Sequence, residues 1–290
     1  MGQILCGNKK PKSYTINNIV YKREKLIGEG AYSYVYMVKK NGKNYALKLI
    51  PLISPETEKI AKTEVYISKT IQHDSVCYLL DHEMIPQSNG LSTALLLFGY
   101  CNGPNLANFS GKLDEELLYD YFFQMLQAVQ VLHCKYEVAF LHNDIKESNF
   151  MLTSDDGGRT YRVVLIDLGS CKATPIYINS RLEALRYEEI FQMECTSLYR
   201  APELFQVPNP GVLGLGSDIW SLGCTLYSLA YGYAPFEGTA LSAISANIKF
   251  PIDHSHHYRP IVQQLIRAMC NSERSKRPTI KSLIEQYPSS

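Results

Sequence analysis

His142-Asn143-Asp144-Ile145-Lys146-Glu147-Ser148-Asn149 lies between a long helical pattern and a short strand hairpin, and Ile166-Asp167-Leu168-Gly169 ends that hairpin. Together the two segments supply two metal-seeking oxygen ligands, Asn149 and Asp167, and a carboxylate, Asp144, placed to accept a proton from an attacking hydroxyl. Magnesium, a hard cation, prefers such oxygens and fills the rest of its octahedron with water and nucleotide phosphates. Either segment alone reads as an ordinary loop, so their meaning depends on what precedes them.

Upstream, Gly28-Glu29-Gly30-Ala31-Tyr32-Ser33-Tyr34-Val35 leaves one strand and enters another. Its glycines fall in a hairpin whose backbone is able to approach phosphate closely. Ser33 stands where G-x-G-x-x-G has its third glycine, and a glycine hairpin by itself is more often a plain turn. Lys48, in Tyr45-Ala46-Leu47-Lys48, falls on the third strand of the same meander, where its ammonium reaches phosphates under the loop. The next helix adds an independent argument. Ile60, Ile67 and Ile71 mark its buried stripe, and Glu64 falls on that stripe. A carboxylate facing a core is costly unless paired, so the helix needs a cation opposite Glu64, and Lys48 is the candidate. The alternative is that Glu64 sits at the edge of the stripe and reaches water.

The chain has 290 residues, enough for one large bilobal domain or two small ones. Its 29 Lys and Arg against 28 Asp and Glu exclude a global electrostatic pull, so no nucleic-acid partner is expected. The eight cysteines include no C-x-x-C pair and no secretory leader is evident, so they read as reduced intracellular thiols. The longest apolar stretch, Ala94 to Phe98, is far short of the roughly 20 residues that cross a bilayer. Residues 1 to about 18 read as a flexible tail, with order beginning near Ile19. Strand alternation then runs to Ile50 around the type I′ signal Asn41-Gly42, and Ser54-Pro55-Glu56 starts a helix reaching about Ile71. Leu118, Phe122, Met125, Val129 and Leu132 define a second helix, and beyond Asp218 helices dominate. Strands first and helices afterwards fit an α+β arrangement, a small antiparallel-sheet lobe (about 19–100) and a larger helical lobe (about 101–287).

With these residues in this order, the chain resembles the eukaryotic protein kinase superfamily over about residues 20 to 286. Ala201-Pro202-Glu203 is similar to the end of a kinase activation segment, Ser217-Asp218-Ile219-Trp220 to the start of its buried central helix, and Arg277-Pro278 to the arginine that pairs with the Ala-Pro-Glu glutamate. The resemblance implies a serine/threonine protein kinase acting on protein hydroxyls with ATP and Mg2+. It implies that Ile27, Gly28, Glu29, Gly30, Ser33, Val35 and Lys48 bind ATP and that Glu64 orients Lys48. It further implies that Asp144 is the base, that Lys146 contacts the γ phosphate, and that Asn149 and Asp167 hold the metal. A pseudokinase scaffold would be expected to lack one of these groups, and a small-molecule kinase the Ala-Pro-Glu and Asp218 elements. Lys146 and Thr196 fit serine/threonine rather than tyrosine specificity.

Gly28 to Val35, Ile166 to Ser170, the charged segment from Ser180 to Gln192 and Cys195 to Glu203 resemble the Numb-associated kinase group. Met1-Gly2-Gln3-Ile4-Leu5-Cys6 is similar to its myristoylated and palmitoylated branch, which is linked to the Golgi and secretory pathway. The expectation is acylation at Gly2 and Cys6, and residence on the cytoplasmic face of Golgi, trans-Golgi or plasma membranes with a cytosolic pool. Asn143 replaces the usual arginine before the base, so a phosphate on Thr196, Ser197 or Tyr199 would find no guanidinium there. A helix from Arg181 to Phe191, with Leu182, Leu185 and Glu189 at helical spacing, is expected to order the segment instead. His254, His256 and His257 read as a solvated loop, Tyr119 to Phe123 as helix core and Cys171 as an inert buried thiol.

Overall fold

A computed structural model describes residues 11–86, 90–251 and 258–286. Gly2, Cys6 and the three histidines of the 254–257 loop lie outside the described residues. The chain forms two compact units: one runs through Thr70 and includes Tyr78–Tyr100, and the other joins Ile71–Cys77 to the chain from Cys101 onward. The boundary expected near residue 100 therefore misses one exchange. Ile71–Cys77 belongs with the helical unit because the Cys77 amide donates to Leu165 O at 2.8 Å and the Leu165 amide to Ser75 O at 2.9 Å.

The first unit is a six-stranded antiparallel sheet with one helix. Its strands are β1 (Ser13–Ile16), β2 (Ile19–Glu29), β3 (Tyr34–Lys40) and β4 (Lys43–Leu52), followed by helix α1 (Pro55–Thr70) and strands β5 (Leu79–Pro86) and β6 (Ser92–Gly99). The sheet order is β1-β2-β3-β4-β6-β5. Strand β1 corrects the expected tail, since among the described residues regular structure begins at Ser13 rather than Ile19. Asn17 and Asn18 turn the chain with positive φ (47° and 65°), a conformation asparagine tolerates, and Ile16 drops into a core of Tyr21, Tyr36, Val38, Leu47, Leu95 and Leu97. Asn17 also donates to Asp81 at 2.7 Å and Glu83 at 2.8 Å, so β1 and β5, the two edges of the sheet, approach each other. Asn41 and Gly42 (φ 49° and 81°) close the β3–β4 hairpin as their positive-φ preference requires.

The second unit is mainly helical. In chain order it holds α2 (Glu115–Cys134), β7 (Ala139–Leu141), β8 (Phe150–Thr153), β9 (Arg162–Leu165), β10 (Lys172–Thr174), β11 (Ile176–Ile178), α3 (Arg181–Glu194), α4 (Pro202–Phe205), β12 (Gly211–Leu213), α5 (Gly216–Tyr231), α6 (Ala240–Ser245), α7 (Pro260–Met269) and α8 (Ile280–Gln286). Three two-stranded ribbons, β7–β10, β8–β9 and β11–β12, carry the segments between helices. The expected stripe of α2 is buried throughout, from Leu118 to Leu132, and Asp114 caps the helix by accepting from the Leu117 amide at 2.9 Å. Every residue of α5 from Ser217 to Tyr231 is buried, which makes it the axis of this unit. Among the described residues no helix is long and apolar enough to cross a membrane, and the cysteines are free thiols.

Candidate active site

In the sheet unit, register brings the first group of residues together. Gly28 pairs with Val35 across β2–β3, and Val35 pairs with Lys48 across β3–β4, so the glycine hairpin and the lysine lie on adjoining rungs. The hairpin tip is closed by the Gly30 amide donating to Ser33 O at 2.8 Å. A Cβ on Gly30 would come within 3.1 Å of Ser33 Oγ, so the tight tip favours glycine. Ile27 is exposed where the β2–β3 register slips between Leu26 and Gly28, and Glu29 is exposed beside it. Lys48 Nζ lies 2.8 Å from Glu64 Oε1, with the glutamate side chain 1% exposed. The expected buried pair is therefore formed, and in low dielectric it holds the ammonium in one place.

In the helical unit, α5 builds the second group. Asp218 on α5 accepts from the His142 amide at 2.7 Å and the Asn143 amide at 2.9 Å, and His133 Nε2 lies 2.9 Å from the same carboxylate. A fully buried carboxylate thus grips the loop backbone where Asn143 takes φ 74°. The loop delivers Asp144 into a ring of donors. Lys146 Nζ lies 2.7 Å from its Oδ2, the Thr196 amide donates to Oδ1 at 2.9 Å, and Asn149 Nδ2 donates to its carbonyl at 2.7 Å. Lys146 also donates to Thr196 Oγ1 at 2.7 Å. Asp167 is exposed at φ 62°, and the Ile166 amide donates to Asn149 O at 2.9 Å, which ties the two expected metal-binding segments to each other.

The activation segment is packed by its own side chains. Ser180 caps α3, and the helix forms where expected, but its buried residues are Ala184 and Phe191. Leu182, Leu185 and Glu189, which stand at helical spacing in the sequence, are all exposed. The reason is the docking of α4 and the chain after it: Glu188, one turn beyond Ala184, accepts from the Val207 amide at 3.0 Å, which turns the Ala184–Glu188–Phe191 side inward. Lys172 of β10 forms an ion pair with Glu194 at the end of α3, and Ser170 Oγ donates to Glu194 O at 3.2 Å. Arg200 donates to Cys195 O at 2.7 Å, and burial lowers the pKa of its guanidinium. Of Thr196, Ser197 and Tyr199, Ser197 alone is exposed; Tyr199 is buried and donates to Glu147. Asn143 is buried as well, and its side-chain carboxamide has no hydrogen-bond partner among the described residues. Sequence reasoning missed His133, Lys172, Glu194 and Glu147, whose partners lie far along the chain; His133 follows Val129 by four on the buried face of α2, but its partner Asp218 is 85 positions away.

Downstream, Glu203 of α4 meets Arg277 in a two-pronged pair, Nη1 to Oε1 at 2.7 Å and Nη2 to Oε2 at 2.8 Å, as expected from the Ala-Pro-Glu segment. Arg277 also stacks 5.1 Å from the Trp220 ring centroid and donates to Gly216 O at 2.8 Å.

A sheet unit with a buried lysine–glutamate pair beside a glycine hairpin, and a helical unit with a loop aspartate, a lysine and two metal-seeking side chains, define a phosphotransferase of the bilobal protein kinase fold. The chain belongs to the protein kinase domain family, whose family model matches residues 21–287, and within it to the ATP-dependent serine/threonine protein kinases. It is similar to serine/threonine-protein kinase 16 of Homo sapiens and of Mus musculus, each 28% identical, over 99% of this chain and 95% of the relative. It is also similar to serine/threonine-protein kinase ppk13 of Schizosaccharomyces pombe, 27% identical over 93% of this chain and 90% of the relative.

Membership implies ATP as phosphoryl donor, magnesium as its usual companion and proteins as acceptors. The donor set fits magnesium. Among the described residues no cluster of three or more His, Cys, Asp or Glu stands close enough to cage an ion. A cation held by Asn149 and Asp167 would complete its shell with water and phosphate oxygens, which is how magnesium binds.

Proposed function

We propose that this chain is a catalytically active kinase that transfers the ATP γ-phosphoryl group to protein serine and threonine hydroxyls. The observation that carries the reading is the ring around Asp144: its carboxylate faces Lys146 and the Thr196 amide, and Asn149 fixes its backbone. In this role the acceptor oxygen bonds to the γ phosphorus, its proton passes to the Asp144 carboxylate, and ADP departs with the electrons of the broken bond. Lys146 and Lys48 offset phosphate charge, and Glu64 keeps Lys48 aimed. Magnesium, when bound, neutralises phosphate charge and orients the oxygens. The complete set of groups disfavours a pseudokinase scaffold.

The activation segment does so without a phosphate. Supporting this are the Lys172–Glu194 pair, which puts a carboxylate beside a cation that a loop phosphate would otherwise engage, and neutral Asn143 before the base. The expected result is that enzyme treated with phosphatase, and shown by mass spectrometry to carry no phosphate on Thr196, Ser197 or Tyr199, keeps its initial rate on a peptide. A fall of about a hundredfold, about 2.7 kcal/mol, would show that loop phosphate is required.

The Numb-associated features point further, to the myristoylated and palmitoylated serine/threonine kinase as the model for cellular role: a membrane-anchored enzyme on the cytoplasmic face of the Golgi, trans-Golgi or plasma membrane. One myristoyl chain on Gly2 binds membranes only marginally, so a palmitoyl chain on Cys6, helped by Lys9, Lys10 and Lys12, makes anchoring stable. In cell fractionation, Gly2→Ala and Cys6→Ser should each shift the protein from the membrane pellet to the soluble fraction. Both variants pelleting like wild type would refute lipid anchoring.

A further inference from the structure

We infer that Glu147 is a positioning residue for the acceptor peptide, holding in place the surface over which the peptide reaches Asp144; this rests on the reading of the chain as an active kinase. Glu147 follows Lys146 in the catalytic loop and opens a single 3-10 turn, Glu147–Asn149. Its Oε1 accepts two hydroxyl hydrogen bonds, from Tyr199 at 2.7 Å and from Ser228 of α5 at 3.0 Å. Its Oε2 is buried and meets no hydrogen-bond donor among the described residues. One carboxylate therefore joins the catalytic loop, the activation segment and the central helix, at the desolvation cost of a buried oxygen.

Tyr199 is held at both ends. Its hydroxyl donates to Glu147, and its carbonyl accepts from Ser221 Oγ at 2.8 Å. Burial first, and the Glu147 charge second, raise the phenol pKa far above its usual value, so the hydroxyl stays a donor. Outside this anchor the chain shows its exposed face. Ser197 and Leu198 are exposed, while the Thr196 amide next to them touches Asp144 Oδ1 at 2.9 Å. Gly238 backs the same stretch: a Cβ there would come within 2.8 Å of Ser197 Oγ and 3.2 Å of the Leu198 amide. A peptide that brings a hydroxyl to Asp144 must lay its neighbouring residues over Thr196–Leu198. Among the described residues Asp144 itself is held by Lys146, Asn149, Thr196 and the His142 ring, and not by Glu147. Loosening the anchor should therefore weaken peptide binding while leaving the chemical step of a bound peptide in place.

The test is steady-state kinetics of the full chain with magnesium ATP and a peptide that the wild type phosphorylates. Glu147→Ala should raise the peptide KM about tenfold, with kcat within about twofold and the ATP KM unchanged. Glu147→Gln keeps an amide oxygen that accepts both hydroxyls and should restore most of the peptide KM. Tyr199→Phe should reproduce part of the rise, and the double variant Glu147→Ala/Tyr199→Phe should be no worse than Glu147→Ala. If Glu147→Ala fails to fold, Tyr199→Phe, which removes one oxygen, carries the test by the same readout. An unchanged peptide KM beside active wild type, a loss confined to kcat, or additive effects in the double variant would overturn the inference alone. No transfer by the wild type would overturn the kinase reading and the inference with it.

Discussion

Asp167→Ala is expected to lower the rate of phosphoryl transfer by about a thousandfold or more, roughly 4 kcal/mol of transition-state stabilisation, while leaving the fold intact. Asp167 is exposed just after β9, and the acceptor its truncation takes from the Gly169 amide, at 3.3 Å, is a small loss beside the change in rate. In the metal-holding role proposed for Asp167, what disappears is a carboxylate oxygen for the cation that would neutralise phosphate charge. Lys48→Ala should cause a comparable loss of rate with a different side effect. It takes the cation from Glu64, whose side chain is almost wholly buried, so the sheet unit should also unfold at lower temperature. Initial rates at a temperature where circular dichroism shows both variants folded separate the two effects. Wild-type activity in either folded variant would contradict the roles given to these residues.

Arg277→Ala is expected to destabilise the helical unit by about 3–5 kcal/mol, a large share of what holds a domain together. The guanidinium is fully buried and forks onto Glu203, donates to Gly216 O and Asn271 O, and lies over Trp220. Its removal leaves the largely buried Glu203 carboxylate, among the described residues, with the Ser217 hydroxyl as its remaining donor, at 3.0 Å. Arg277→Lys restores the charge but not the fork, and should recover only part of the loss. Urea unfolding followed by tryptophan fluorescence checks this directly, since Trp220 is the chain's one tryptophan and lies against the substituted site. A loss under about 1 kcal/mol in Arg277→Ala would contradict a structural role for the pair.

Features resting on a local physical demand were legible in the sequence. Glu64 on an apolar stripe requires a cation, and the structure supplies Lys48 at 2.8 Å. Asn41-Gly42 requires a positive-φ turn, and the hairpin forms there. The Asp144 loop and the Asp167 segment, read together from their order in the chain, are tied to each other by the Ile166 amide donating to Asn149 O at 2.9 Å.

What escaped depends on distant partners. Strand β1 is four residues long in polar surroundings, and its burial is decided by Tyr21, Tyr36 and Val38 under Ile16 and by β5 against Asn17. Helix α3 carries apolar residues on more than one side, so spacing alone could not choose between Leu182–Leu185 and Ala184–Phe191; the contact with Val207 chose. Glu147 looked like one more charged loop residue, since its partners lie 52 and 81 positions away.

Phosphorylation of a peptide array with magnesium ATP, wild type beside Asp144→Ala, is the most direct test of whether Asp144 serves an active kinase. The expected result is label on serine and threonine from the wild type, and a fall of about a thousandfold in Asp144→Ala. An unlabelled array with wild-type enzyme, label confined to tyrosine, or an Asp144→Ala variant as fast as wild type would contradict it.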